Sequence, residues 1–414
     1  MPRAEVSDYQ KTLERLYSRI PAGRKLGLER VQAVCDHFGN PERSFEAVHV
    51  AGTNGKGTVC AFVNSMAIHA GRKVGMYTSP HLNRFAERIA INGEAITDEA
   101  LAPLLEQVMD QGPDLTFFEV ATVAAFLAFR EAKVDFAVIE VGLGGRLDAT
   151  NVIPAPRVAA ITRISFDHTA ELGDTLAQIG AEKAGIIKPG SAVVLGKIHP
   201  EARAVIEARI AEVGAELLDL GSPEPFAGAR LAYPRIAMIG TNLAVASTIG
   251  RYLKFAPEDM ARAIEATLWP GRNELLHRNG QDLTLLDCGH NPDGMVALSH
   301  SLDPGALGDI SSRKEIALVF GAIQGKNYRA MLRRLENVAG HRIFVAPPIK
   351  KAVDPHEFAK ILPGEVAPDV ATALELARTR VGAKGLVVVT GSIFLVGAAR
   401  ASLLGLPTDP AVDL

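Results

Sequence analysis

His49-Val50-Ala51-Gly52-Thr53-Asn54-Gly55-Lys56-Gly57-Thr58 decides how this chain is read. It closes an apolar run from Ala47 to Ala51, passes through a turn rich in glycine, and enters a helical pattern over Thr58–Ala70. A strand that feeds a helix through such a turn points backbone N–H groups inward, and the helix N-terminus adds partial positive charge, which together suit a phosphate. Gly52, Thr53, Asn54, Gly55 and Gly57 supply that backbone, Lys56 would reach the outer phosphates and Thr58 would ligate Mg²⁺. Gly57 separates the lysine from the threonine, so the strict Walker order is not met.

Further apolar runs repeat the strand signal at Phe136–Val141, Val158–Ile164, Ala192–Leu195, Leu283–Asp287, Ile316–Phe320, Arg342–Val345 and Leu386–Thr390. Most are continuous rather than alternating, as in strands buried on both faces of a parallel sheet. Helical patterns lie between them, at Leu28–Phe38, Ala202–Val213 and Pro257–Leu268, so the class is α/β with crossover connections. A length of 414 residues predicts more than one domain of about 150 residues. Pro and Gly cluster at Gly221–Pro225 and at Trp269-Pro270-Gly271, and the second cluster, just before a fresh strand series, marks the boundary.

Composition removes whole classes of function. Lys plus Arg number 44 against 47 Asp plus Glu, a net charge of −3 without the basic excess of a nucleic-acid binder. With 48% hydrophobic and 22% charged residues, the chain is globular rather than disordered. Met1–Gln10 lacks a signal-type apolar core, and the nearly apolar stretch Val120–Phe129 is short of the about 20 residues a membrane helix needs. Cys35, Cys60 and Cys288 have no metal or redox spacing and read as free thiols. A cytoplasmic protein without nucleic-acid or membrane partners is expected.

The second chemical signal surrounds Glu140, at the end of an apolar strand before a glycine-rich loop. Ligands bind beyond such strand ends, so Glu140 can hold Mg²⁺ facing the phosphate loop. Gly142, Gly144 and Gly145 do not make the dinucleotide spacing. Asp167-His168 follows another strand run, and Lys183, read bare, is a helix-end cation. In the second half, Arg272 can grip phosphate, while Asp287, His290 and Thr390-Gly391-Ser392 follow strand runs. An ATP–Mg²⁺ enzyme with an interdomain cleft results, with kinase, ATPase and ATP-dependent ligase all open.

Taken together, these segments resemble the folylpolyglutamate synthase/dihydrofolate synthase family of the Mur ligase superfamily. The resemblance rests on HVAGTNGKGT at 49–58, TSPHLNRFAERIAING at 78–93, EVGLGGRLDATNV at 140–152, DHTAELGDT at 167–175, EKAGIIKPG at 182–190, PGR at 270–272, HNPDG at 290–294 and VTGSIFLVG at 389–397. It implies a P-loop-type, mostly parallel-sheet ATPase domain over 1–268 that also binds folate, followed by a smaller Rossmann-like α/β glutamate ligase domain over 269–414. It implies a reaction in which ATP phosphorylates a carboxylate and the amine of L-glutamate attacks the acyl phosphate. The carboxylate belongs to dihydropteroate or to the terminal glutamate of a reduced folate. A Mur-type ligase for another carboxylate, or a non-catalytic nucleotide-binding module, are the competing readings.

By the same resemblance, Lys56 and the backbone from Gly52 to Thr58 hold the ATP phosphates. Thr58, Ser79, Glu140 and His168 serve two Mg²⁺ ions, joined by Lys183 as a carboxylated lysine. Arg272 and Asp287 contact phosphate and ribose, and His290 stands beside the phosphates or the incoming glutamate. Arg88 and Ser392 lie near the glutamate carboxylates, and Thr116, Phe118, Asp148 and Ala149 form a pterin-side pocket. The family leans toward a monomer. The chain departs from the family at Asp287-Cys288-Gly289-His290, where Asp-Gly-Ala-His is common, at Gly240-Thr241-Asn242, and at Gly325-Lys326-Asn327 in place of Asp-Lys-Asp.

Overall fold

The computed structural model describes residues 7–19, 27–221, 237–278, 282–302 and 315–410. Two sheets organise them. The first holds β1 (Glu46–Ala51), β2 (Val74–Tyr77), β3 (Ile89–Ile91), β4 (Glu94–Ala95), β5 (Phe136–Glu140), β6 (Val158–Ile161), β7 (Ala192–Leu195) and β8 (Glu216–Leu218), in the order β4-β3-β2-β5-β1-β6-β7-β8. Its six strands from β2 to β8 run parallel, and β3 and β4 add an antiparallel edge.

The second sheet holds β9 (Glu274–Arg278), β10 (Asp282–Leu286), β11 (Ile316–Phe320), β12 (His341–Phe344), β13 (Glu365–Val366) and β14 (Leu386–Thr390), in the order β13-β12-β11-β14-β10-β9. Only β9 is antiparallel. Each of the eight apolar runs holds a strand, although Val158–Ile164 extends three residues past the end of β6 at Ile161. The six that hydropathy does not reveal are short or lie at edges, and β2 carries Gly75, where a Cβ would come within 2.6 Å of the Phe129 ring. Of the Gly221–Pro225 cluster, everything beyond Gly221 lies outside the described residues.

Burial follows from the continuous hydropathy of the central strands. Val48, Val50, Val138 and Val158 pack with Phe62, Val63 and Met66 on one face of the first sheet. Ile139 and Ala137 pack with the helix Phe117–Glu131 on the other face. That helix contains the Val120–Phe129 stretch and is apolar nearly all round because it is a core element; Phe126 and Phe129 are fully buried, each contributing about 1.5–3 kcal/mol. No helix among the described residues is long and apolar enough to cross a membrane.

The strand order places the site. The chain leaves β1 toward β2 on one side, and later crosses from β5 over β1 to β6 on the other, so strand order reverses at β1. Val50 pairs with Glu140 and Ala51 with Ile161, which brings three strand ends together. A crevice beyond such a reversal is where open α/β sheets bind ligands.

Candidate active site

Beyond β1 the chain is moulded against β6. Gly52 has φ +151°, and a Cβ there would lie 1.9 Å from the Thr162 hydroxyl, which donates to the Asn54 carbonyl at 2.8 Å. Thr53 donates its N–H to the Arg163 carbonyl (2.6 Å) and its hydroxyl to the Ser165 carbonyl (3.0 Å). Gly55, at φ +91°, begins the helix Lys56–His69 without any side-chain cap, and a Cβ on it would strike Asn242 at 2.5 Å. The first turn of that helix therefore keeps its N–H groups free of a side-chain cap. Residues Gly52 to Thr58 all line one cavity.

Opposite this loop stands Glu140, the last residue of β5. Its Oε2 accepts the Ser79 N–H at 3.2 Å, and its Oε1 lies 3.9 Å from Lys56 Nζ. Burial pushes the Glu140 carboxyl above its ordinary range, opposed by Lys56 and by the Ser79 N–H. Lys183, 3% exposed, leaves the helix Leu176–Ala184 and donates to the Gly52 carbonyl at 3.1 Å. Burial, reinforced by the neighbouring Lys56 charge, lowers its ammonium to about 7.

The second sheet closes the cavity with Arg272, Asn273, Asp287, Cys288, Gly289 and His290. Asp287 follows β10 and spends its carboxylate on its own surroundings, accepting the N–H groups of Gly289 (2.9 Å) and Asn273 (3.1 Å). His290 Nδ1 contacts the Cys288 carbonyl at 3.0 Å, which fixes that nitrogen as a donor and turns Nε2 toward Asp167, 3.5 Å away.

Asp167 is the residue that sequence reasoning left out of the site. From the first domain it accepts Lys326 Nζ (2.6 Å) and Asn291 Nδ2 (3.2 Å), both from the second. Burial opposes its ionisation, but the His290 hydrogen bond and the Lys326 charge outweigh burial and hold the carboxyl well below its usual range. Beside it, Asn54 exchanges hydrogen bonds with Asn291 (3.0 and 3.2 Å) and donates to Asp293 (2.8 Å), which also pairs with Arg163 at 2.5 Å. Asn291, Asp293 and Lys326 were thus missed with Asp167. The available signal was positional, since Asp167 precedes His168 and Lys326 occupies the departing Gly-Lys-Asn segment.

The cavity gathers Lys56, Thr58, Ser79, Glu140, His168, Lys183, Arg272, Asp287 and His290, with Gly52, Thr53, Asn54, Gly55 and Gly57. Arg88, Thr116, Phe118, Asp148, Ala149 and Ser392 do not line it. Arg88 is 1% exposed, lies against the Phe85 and Phe117 rings at 5.4 and 5.2 Å, and donates to His81 at 2.9 Å. Thr116 caps the helix Phe117–Glu131, and Ser392 caps Ile393–Leu404. Phe118 abuts Gly142, where a Cβ would lie 2.4 Å from its ring. Asp148 caps the turn Ala149–Val152 and accepts N–H groups from Leu143 (2.8 Å) and Thr150 (3.0 Å). Ala149 is buried in the apolar cluster around that helix.

A divalent cation shared with a nucleotide fits these donors. Glu140 offers a carboxylate, Thr58 and Ser79 offer hydroxyls, and Mg²⁺ typically takes one or two carboxylates with phosphate oxygens and waters completing its shell. No three His, Cys, Asp or Glu among the described residues gather into an all-protein cage. Lys183 as it stands donates to the Gly52 carbonyl and offers no oxygen ligand to a metal.

Residues 50–216 match the Mur ligase middle domain, and residues 271–393 match the Mur ligase glutamate ligase domain. The dihydrofolate synthase/folylpolyglutamate synthase of Bacillus subtilis is 33% identical over 95% of this chain and 99% of its own length. Folylpolyglutamate synthase of Mycobacterium tuberculosis, solved with ADP and AMPPCP, superposes with a TM-score of 0.86 at 26% identity, covering 97% of this chain and 99% of that one. The bifunctional folylpolyglutamate synthase/dihydrofolate synthase of Yersinia pestis, solved with AMPPNP and Mn ion, superposes with a TM-score of 0.85 at 31% identity, over 97% and 99%. With the uncapped Gly52–Thr58 loop facing a second sheet across one cavity, these likenesses fix the lineage: the chain belongs to the dihydrofolate synthase/folylpolyglutamate synthase family of Mur ligases.

Proposed function

We propose that this chain is an ATP-dependent ligase that joins L-glutamate to dihydropteroate, to the γ-carboxylate of a reduced folate, or to both. The observation that carries the reading is the opposition, across one cavity, of the Gly52–Thr58 loop with Lys56 to Arg272 and His290 of the other domain. One wall can hold a triphosphate while the other meets the group it activates.

In this reading the loop Gly52–Thr58 wraps the β- and γ-phosphates, with the N–H groups of residues 54–58 and Lys56 holding them while the Thr53 N–H stays bonded to Arg163. The substrate carboxylate attacks the γ-phosphorus, ADP leaves, and an acyl phosphate remains. The glutamate amine then attacks the acyl carbon, expels inorganic phosphate and loses a proton as the amide forms. Arg272 and Lys56 offset the charge that accumulates during transfer, which is where electrostatic catalysis acts. His290, with Nδ1 tied to the Cys288 carbonyl and Nε2 turned toward Asp167, stands beside the phosphates or the incoming glutamate. Thr58, Ser79, Glu140 and His168 would hold Mg²⁺, which supplies Lewis-acid stabilisation of phosphate oxygens when bound. Phe118, Thr116, Asp148 and Ala149 are assigned to the pterin, and Arg88 and Ser392 to glutamate carboxylates. Asp148 already accepts the N–H groups of Leu143 and Thr150 and the Thr150 hydroxyl, so a pterin N–H would displace one of these donors.

Lys183 is proposed to be carboxylated. Addition of CO₂ to the amine forms an N–C bond and releases a proton, and the reaction needs the neutral amine. Burial and Lys56, which bring Lys183 to about 7, support a large neutral fraction. Carbon-13 bicarbonate should give a carbamate resonance in the wild type that is absent in Lys183→Ala, and short carboxylic acids should partly restore that variant's activity. The function itself is tested by incubating the protein with ATP, Mg²⁺, glutamate and either dihydropteroate or tetrahydrofolate. Glutamate-dependent ADP release with a glutamylated product is expected, and its absence with every pterin carboxylate would overturn the assignment.

A further inference from the structure

Away from the cleft the two domains meet again, through the loop from Ser79 to Arg88 and the C-terminal tail. Leu82 of that loop packs into the second domain's apolar cluster with Val396 and Ile393. Gly397 has no room for a side chain, because a Cβ there would lie 2.3 Å from the Leu82 carbonyl. The Asn83 amide donates to the Gly397 carbonyl at 2.8 Å.

Past the helix Ile393–Leu404 the tail returns to the first domain. The Asp409 N–H donates to the Asn83 carbonyl at 3.0 Å. Its carboxylate accepts the Phe85 N–H (2.6 Å) and the Tyr9 hydroxyl (2.8 Å), with Arg84 Nε 3.6 Å away. The Asp409 side chain is 7% exposed, and every donor to it belongs to the first domain. Within the loop, Glu87 accepts the N–H groups of Leu82 (2.8 Å), Asn83 (3.1 Å) and Arg84 (2.9 Å). Each backbone N–H from Leu82 to Phe85 thus ends on a carboxylate, three on a loop neighbour and the fourth on a residue 324 positions away. A charge-assisted bond of this kind is roughly twice as strong as a neutral one.

The same loop begins at the cavity wall. Ser79 and Pro80 line it, and the Ser79 N–H steadies Glu140. We infer that Asp409 is a positioning residue for the ligase reaction, fixing the Leu82–Phe85 backbone so that Ser79 and Glu140 keep their places. The inference rests on the proposed function for its consequence, though its structural half can be read without any substrate.

The experiment compares the full chain with Asp409→Ala and Asp409→Asn by site-resolved amide hydrogen exchange, thermal melting and steady-state kinetics. In Asp409→Ala the Leu82–Phe85 amides should exchange at least about tenfold faster while the strands of both sheets keep wild-type protection. Its kcat should fall about tenfold with KM for ATP changed less than about twofold, because misplacement acts on the reacting groups and not on the phosphate loop. Asp409→Asn keeps an acceptor oxygen but loses the charge, and should fall between the two in both readouts. Wild-type exchange and kcat in Asp409→Ala would overturn the inference, as would a uniform rise in exchange across both sheets. Should Asp409→Ala fail to fold, Asp409→Asn decides alone: faster exchange at Phe85 supports the inference, and wild-type exchange there overturns it. If the exchange result holds but no glutamate-dependent turnover exists in the wild type, the proposed function fails and the clasp stands.

Discussion

Both sheets send a parallel strand into a polar turn and then a helix, and the two turns use their hydrogen bonds in opposite ways. After β1 the turn is glycine-rich, Gly55 gives the helix no side-chain cap, and the loop lines the cavity. After β10 the turn caps itself: Asp287 accepts Gly289 and Asn273 N–H groups, and Asn291 accepts the Gly294 N–H of the helix Pro292–Ser301. An uncapped helix N-terminus backed by a lysine is a place for an anion, whereas a capped one is scaffold. The second turn contributes instead through side chains sent across the cleft, His290 and Asn291 to Asp167 and Asn291 to Asn54. One turn leaves its helix N-terminus open to the cavity, and the other caps its own and reaches across the cleft with His290 and Asn291.

Removing the lysine tests the first half of that contrast most severely. Lys56→Ala should lower kcat by about a thousandfold or more, while circular dichroism and melting stay near wild type, since the side chain lies at the cavity wall. A wild-type rate would remove the phosphate-loop assignment.

Acid should then separate the two domains. His49 in β1 is fully buried, and burial, helped by the Lys188 charge, lowers it to about 3. Its folded value lies below the unfolded value of about 6.5, so the unfolded chain binds the extra proton. The stability this group withholds is nil above about pH 6.5 and grows as pH falls toward 3, reaching about 2 kcal/mol at pH 5. His49→Gln should flatten the acid limb of the first domain's unfolding curve, measured by exchange in β1 and β5, without altering that of β11 and β14. An unchanged acid limb would show that other groups govern it.

The smallest effect probes the second turn. Asn291→Ala removes a helix cap worth about 1 kcal/mol and the bonds to Asn54 and Asp167. It should lower kcat by about tenfold and leave ATP binding, measured by calorimetry, within about twofold. A large loss of ATP affinity with unchanged kcat would mean that the second turn also binds the nucleotide and would erase the contrast.

Legibility in the sequence follows the same division. The eight runs hold strands, most of them unbroken because burial on both faces demands continuous hydropathy. Edge strands such as β4 and β13, only two residues long, carry no such demand and left no pattern. The Gly52–Thr58 loop was legible because glycine, lysine and a following helix stand within ten residues. Asp167 was not, since one Asp before a His looks like any other acidic residue until Lys326 is folded against it. Asp148 and Arg88 show the converse, residues whose motif was legible but whose observed neighbours are a capped turn and two phenylalanine rings.

By itself, then, the sequence determined the α/β class, the strand ends that bear Lys56 and Glu140, and the lineage, because each is written in the chemistry of contiguous residues. Tertiary structure alone decided which groups meet across the cleft: Lys326 and Asp167, 159 positions apart, and Asp409 and Phe85, 324 apart. Hydropathy sets a residue's depth and glycine sets a turn, but neither names a distant partner. That choice belongs to the packing of two sheets, where a buried carboxylate persists only if the fold delivers donors to it.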